Sequence, residues 1–143
     1  MTIGWRFDNT YAKLPDTFKE NINPIPVKEP NLVILNKKLA KNLDLDFSKT
    51  DKKEISKILS GNILPIGSNG ISQAYAGHQF GHFTMLGDGR AVLMGEHLSK
   101  KNERYDIQFK GSGKTSFSRG GDGRAVLGPP SIHEGVSFDV NEL

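Results

Sequence analysis

The sequence predicts an α+β domain in which short helices precede an antiparallel β-hairpin. Three observations carry that assignment. Two β-rich runs, 90–98 and 104–110, are joined by the polar stretch Ser99-Lys100-Lys101-Asn102-Glu103. Two short amphipathic patterns lie upstream, over 36–43 and 51–59. Glycine is concentrated late: eleven of the 16 glycines fall between Gly77 and Gly128, where the backbone must turn sharply or admit a close neighbour.

In chain order, 5–15 is polar-aromatic without a period and reads as an extended arm. Asn23-Pro24-Ile25-Pro26 and Glu29-Pro30 are rigid, turn-like joints, because proline fixes φ and restricts the residue before it. Leu32-Val33-Ile34-Leu35 is a short strand candidate. Leu35, Leu39 and Leu43 recur every four residues and predict a helix over 36–43. A second helix is predicted over 51–59. Asp51 caps its start with Glu54 three residues on, Ile55, Ile58 and Leu59 form its apolar stripe, and Gly61 ends it. In the second strand of the hairpin Tyr105, Ile107 and Phe109 share the packing face, while Asp106, Gln108 and Lys110 share a polar face that can border a cleft.

Composition removes several function classes. At 143 residues the chain is one domain or a piece of a larger one, and 36% hydrophobic residues suffice for a core. The absence of cysteine excludes disulfides, zinc–thiolate centres and thiol catalysis. No apolar run approaches the roughly 20 residues of a membrane span, and the first residues lack a signal-peptide layout, so a cytoplasmic, membrane-independent protein is expected. The 19 basic against 16 acidic residues leave a net charge of +3. That permits an anion such as a nucleotide and does not argue for nucleic acid.

The heptapeptide Gly-Asp-Gly-Arg-Ala-Val-Leu occurs twice, at 87–93 and 121–127. A single copy reads most simply as a tight turn entering a strand. Two copies flanking a hairpin that ends in lysine point to anion binding, since Gly-x-Gly exposes backbone N–H groups and arginine adds a forked, permanent charge. Lys110 ends a strand after a glycine turn and one hairpin, the placement by which kinase-like folds pair a lysine with phosphate; from spacing alone it reads equally as an ordinary exposed strand lysine. Gly111-Ser112-Gly113-Lys114-Thr115-Ser116 imitates the end of a P-loop, but the glycine needed at 108 is Gln108, and poor helix formers follow. A P-loop is therefore rejected. His78 and His82 are four apart but lie beside Gly77 and Gly81, so packed or hydrogen-bonded histidines are expected there, not a helical metal site. His97 and His133 carry no signal.

Five stretches together carry a family resemblance: Phe7-Asp8-Asn9-Thr10-Tyr11; Ala74-Tyr75-Ala76-Gly77-His78-Gln79-Phe80-Gly81-His82-Phe83; Leu86-Gly87-Asp88-Gly89-Arg90-Ala91; Asp106-Ile107-Gln108-Phe109-Lys110-Gly111-Ser112-Gly113; and Phe117-Ser118-Arg119 running into Gly121-Asp122-Gly123-Arg124-Ala125-Val126-Leu127-Gly128-Pro129. In this order they resemble the selenoprotein O family, the kinase-like protein adenylyltransferases. The resemblance implies the N-terminal lobe of a partial protein-kinase-like fold over 1–129, followed by a divergent tail over 130–143. It implies ATP bound in a flipped orientation, with transfer of AMP to hydroxyl side chains of protein substrates. By motif position the ATP contacts would be Gly87, Gly89, Arg90, Lys110, Asp122 and Gly123.

Two departures from the family pattern stand out. Ser116 occupies a position where the family usually has proline. After Pro129 the family continues into a helix whose glutamate pairs with the strand lysine; here a gap-free reading places His133 at that position, with Glu134 adjacent and the poor helix former Gly135 next, so Glu134 is not assigned the role. The family's catalytic aspartate and its Mg²⁺ ligands would lie downstream of Leu143, so no catalytic or metal-binding residue is expected in this chain. The resulting expectation is the N-terminal part of an adenylyltransferase, itself inactive. The alternative is a non-enzymatic nucleotide-binding or interaction module, or a nonfunctional truncated product.

Overall fold

The computed structural model describes residues 2–79 and 81–124. The Ala125-Val126-Leu127 end of the second heptapeptide and the 130–143 tail with His133 and Glu134 lie outside the described residues.

Among the described residues, five strands and two α-helices form the unit: β1 (Lys19–Asn21), α1 (Lys37–Asn42), α2 (Lys52–Leu59), β2 (Ile71–Gln79), β3 (His82–Gly87), β4 (Ala91–Leu98) and β5 (Arg104–Lys110). Each helix starts where its cap predicts. The Asn36 side chain accepts from the Leu39 N–H at the head of α1, and Asp51 accepts from the Glu54 N–H at the head of α2, relieving donors that a first turn leaves unpaired. The Leu32-Val33-Ile34-Leu35 strand is not formed. Val33 and Ile34 are 86% and 81% exposed, so their β propensity has no sheet to serve.

All strand pairings are antiparallel, in the order β1-β2-β4-β5 with β3 on β2. β2 is long enough to serve two neighbours. Its first residues pair with β1 and meet β4 at Ile71–Leu93, and its second half pairs with β3 from Ala74–Gly87 to Gln79–His82. The expected hairpin is β4–β5, running from Ala91–Lys110 to Leu98–Arg104 with a bulge between Leu93 and Gly95. His78 and His82 thus lie on an exposed second hairpin, with His78 edge-on to Phe83, rather than on a helix or in a packed interior.

The arm at 5–15 runs along the stretch of β4 that β2 leaves open. Phe7 bridges to His97, the Asp8 N–H donates to the Glu96 carbonyl at 2.9 Å, and the Leu98 N–H donates to the Arg6 carbonyl at 2.8 Å. A 3-10 turn at Tyr11–Lys13 then closes over the buried Glu96 carboxylate, which accepts from the Thr10 hydroxyl and the Tyr11 N–H. The packing face of β5 is as expected. Tyr105 and Ile107 lie against a cluster of Ala40, Leu43, Leu45, Phe47 and Ile55 from the helical layer, and Phe109 joins Val92 and Met94 inside the sheet. Asp106, Gln108 and Lys110 are exposed on the opposite side. The helices thereby clamp one face of the hairpin and leave the sheet ends, with their glycine turns, accessible.

Candidate functional site

The turn between β3 and β4 is the first Gly-Asp-Gly-Arg copy. A second turn, 115–118, is seated on it. The Thr115 hydroxyl donates to the Asp88 carbonyl at 2.6 Å, the Ser118 hydroxyl donates to the Gly89 carbonyl, and the Ser118 N–H returns to the Thr115 carbonyl at 3.1 Å. The Phe117 ring lies directly against Gly87, and a Cβ on Gly89 would sit 2.7 Å from the Phe117 carbonyl oxygen. Both glycines are therefore required by close approach, whatever else they do. Ser72, fully buried on β2, donates a further hydroxyl bond to the Asp88 carbonyl at 2.8 Å.

The second copy follows the same brace and returns to the end of β5. Ser112 bridges to Arg124, and the Gly113 N–H donates to the Gly123 carbonyl at 3.1 Å. Gly123 has φ +69°, and a Cβ there would collide with the Gly113 backbone. The two copies do not share a conformation, since Gly89 is not in the left-handed region. Their aspartates also differ. Asp122 accepts from the Arg124 N–H two residues on, at 2.9 Å, whereas Asp88 reaches back to the Gln73 N–H at 3.4 Å. Burial pushes the Asp88 carboxyl above its usual range, and the Gln73 N–H only partly offsets that.

Between the copies lies a cleft of about 620 Å³. Gly87, Gly89, Arg90, Asp122 and Gly123 all line it. Five of the six residues singled out in the sequence thus meet around one space. Lys110 does not line it. It borders an adjoining depression of about 370 Å³ that shares Arg124 with the cleft. Backbone pairing keeps it close, for Lys110 stands opposite Ala91 and the Gly111 N–H donates to the Arg90 carbonyl at 2.6 Å. Lys114 is exposed and does not line the cleft, and a turn, not a helix, follows it, as the rejection of a P-loop requires.

Sequence reasoning missed Arg119 and Arg124, which line the cleft with Arg90, and Tyr75 and Phe117, which supply apolar wall. Arg124 had a signal, since it is the arginine of the second heptapeptide. The brace at Thr115 and Ser118 had only the hydroxyl-rich run Thr115-Ser116-Phe117-Ser118. The Ser116 N–H donates to a Glu20 carboxylate oxygen at 3.1 Å, a bond that a proline at this position could not make. Among the described residues no group of three His, Asp or Glu side chains is arranged to hold a metal ion, and no helix is long and apolar enough to cross a membrane.

The geometry defines an antiparallel α+β unit with an arginine-lined cleft between two glycine turns. The chain belongs to the family described as protein adenylyltransferase SelO, which it matches over residues 2–137. It is 74% identical over 129 residues to a protein nucleotidyltransferase YdiU of Pelagibacter ubique, covering 90% of this chain and 27% of that protein. It is 59% identical over 127 residues to the YdiU of Nitrosococcus oceani, covering 89% and 26%, and 57% identical over 126 residues to that of Brevibacillus brevis, covering 88% and 26%. The chain spans about a quarter of the length of these relatives.

Proposed function

We propose that this chain is the ATP-holding part of a cytoplasmic protein adenylyltransferase with a kinase-like fold. The observation that carries this reading is the meeting of both Gly-Asp-Gly-Arg copies in one arginine-lined cleft. Gly87, Gly89, Arg90, Asp122 and Gly123 would hold the phosphates there, and Lys110 would reach them from the adjoining strand end. An ammonium 3–4 Å from a phosphate oxygen gains on the order of 4 kcal/mol at an effective dielectric of about 20, before desolvation is subtracted. In the transfer a protein hydroxyl oxygen bonds to the α-phosphorus and the α–β phosphoanhydride breaks. Pyrophosphate leaves with the electron pair, and the hydroxyl proton passes to a base.

That base, and ligands for Mg²⁺, would come from the part of the relatives' length that this chain does not span. On its own the chain would bind ATP without transferring AMP. The names of its relatives support nucleotidyl transfer as the reaction of the whole protein. The test is ATP binding by this chain, followed by calorimetry, with labelled-AMP transfer assayed in parallel. ATP binding weakened by Arg90→Ala and Lys110→Ala, and left intact by Lys114→Ala, is the expected result. AMP labelling of protein by the pure chain, or a larger loss with Lys114→Ala than with Lys110→Ala, would overturn it.

A further inference from the structure

Three non-glycine residues have positive φ: Asp44 at +59°, Asn102 at +60° and Arg119 at +56°. The first two are residue types that tolerate the left-handed region, and each is tied by its own side chain. Asp44 accepts from the Lys100 N–H at 2.7 Å, and Asn102 accepts from the Arg6 guanidinium at 3.3 Å. Arg119 has neither excuse. Among the described residues its exposed guanidinium makes no hydrogen bond or ion pair, so neither packing nor pairing explains its conformation.

Its neighbours sharpen the point. The Gly121 N–H donates to the Ser118 carbonyl at 2.9 Å, which makes Arg119 and Gly120 the two central residues of a tight turn. A positive φ at the first central position is a place where glycine dominates. Gly120 and Gly121 stand next in the chain, yet neither takes the left-handed conformation, and arginine does. The residue before it, Ser118, is tied to the first glycine turn by its hydroxyl bond to the Gly89 carbonyl. Arg119 lines the cleft with Arg90 and Arg124, and Asp122 is the one carboxylate among the lining residues. The Arg124 guanidinium is already tied, donating to the Ile25 carbonyl at 3.1 Å, so the arginines of the lining are not equivalent. Backbone strain retained at a charge-lined cleft points to function.

We propose that Arg119 is a further phosphate-gripping residue of this cleft, kept in a strained conformation because its charge is needed there. This deepens the proposed function and rests on that reading. The test uses the 143-residue chain as wild type, Arg119→Gly, Arg119→Lys and Arg90→Ala. Each is melted without ligand and titrated with ATP and with inorganic tripolyphosphate. Glycine relieves the strain while removing the charge, so the two readouts should move in opposite directions. Arg119→Gly is expected to raise Tm by about 2–5 °C and to weaken both ligands about 3- to 10-fold. Arg119→Lys should retain most of the affinity and melt like wild type. If Arg90→Ala weakens binding and Arg119→Gly does not, the inference is wrong while the cleft reading stands. Loss of ATP but not tripolyphosphate affinity in Arg119→Gly also overturns the inference, because the contact would then be to the nucleoside. So does a lowered Tm. A wild-type chain that binds neither ligand overturns both readings.

Discussion

The Asp88 carbonyl is held by two hydroxyls from different parts of the chain, Thr115 at 2.6 Å and Ser72 at 2.8 Å. Thr115→Val keeps the shape and removes one donor. Because Ser72 still bonds the carbonyl, the cost is that of an ordinary hydrogen bond, about 1 kcal/mol. The Phe117 N–H also loses the Thr115 oxygen it reaches at 3.2 Å, which adds about 0.5 kcal/mol, since the site is only part-buried. Ser72→Ala alone should likewise cost about 1 kcal/mol. The double variant strips both hydroxyl donors from that carbonyl, beside side chains that are 0% and 3% exposed. The desolvation penalty is then uncompensated, and the double variant should exceed the sum of the singles by about 1 kcal/mol. Urea unfolding of the four proteins measures the cycle. Additivity within about 0.3 kcal/mol would refute the claim that these hydroxyls share one carbonyl. ATP titration of Thr115→Val adds a second reading, because Thr115 does not line the cleft. Weakened binding there would report displacement of the glycine turn.

Two further outcomes follow from the same neighbourhood. The Asp88 carboxyl is raised by burial, so the native state holds its proton more tightly than the unfolded chain does, and this group's contribution to stability falls as pH rises from the ordinary aspartate value of about 3.9 through the higher folded value. Asp88→Asn should therefore melt higher than wild type at pH 7 and lose that advantage below about pH 3.9; an unchanged Tm difference from pH 3 to pH 7 would contradict it. Ser116→Pro removes the 3.1 Å bond to Glu20 but occupies the first central position of the 115–118 turn, which proline favours. The loss and the entropic gain are each about 0.5–1 kcal/mol, so denaturant midpoints should place the variant within about 0.5 kcal/mol of wild type.

What was legible in the sequence was what short-range chemistry determines. The caps at Asn36 and Asp51, the β4–β5 hairpin and the alternation of Tyr105, Ile107 and Phe109 all depend on residues within a few positions of one another. The β2–β3 hairpin escaped notice because alanine, glycine, histidine and glutamine dilute the β formers Ile71 and Tyr75 along β2, so no clean alternation shows there. Leu32-Val33-Ile34-Leu35 misled for the opposite reason, since high propensity does not make a strand where no partner edge is available. His97 showed no motif because its role is entirely non-local. It is fully buried, bonded through Nε2 to the Leu43 carbonyl at 2.7 Å and through Nδ1 to the Arg6 N–H at 3.1 Å, so it ties the arm to the helical layer across the sheet. Of the candidate site, the glycine turns and arginines could be read as anion-binding pieces. That the turns share one cleft while Lys110 borders the next depression depends on how β5 ends against the 115–118 brace, which no local pattern encodes.

The two heptapeptides make the same point from inside the site. Gly-Asp-Gly-Arg at 87–90 connects two paired strands, and its aspartate is drawn back toward β2. Gly-Asp-Gly-Arg at 121–124 follows a turn instead, and its aspartate bonds forward to its own arginine's N–H while Gly123 flips to positive φ under the Gly113 backbone. Identical residues thus settle into different conformations because their neighbours differ, which argues against a duplicated structural unit. What the copies retain in common is chemical: glycines and an arginine that line one cleft. A polyphosphate presents charge on more than one side, so two unlike turns lining one cleft need not share a backbone conformation to contact it. The divergence of the two copies in backbone is thereby compatible with the proposal that both hold one polyphosphate.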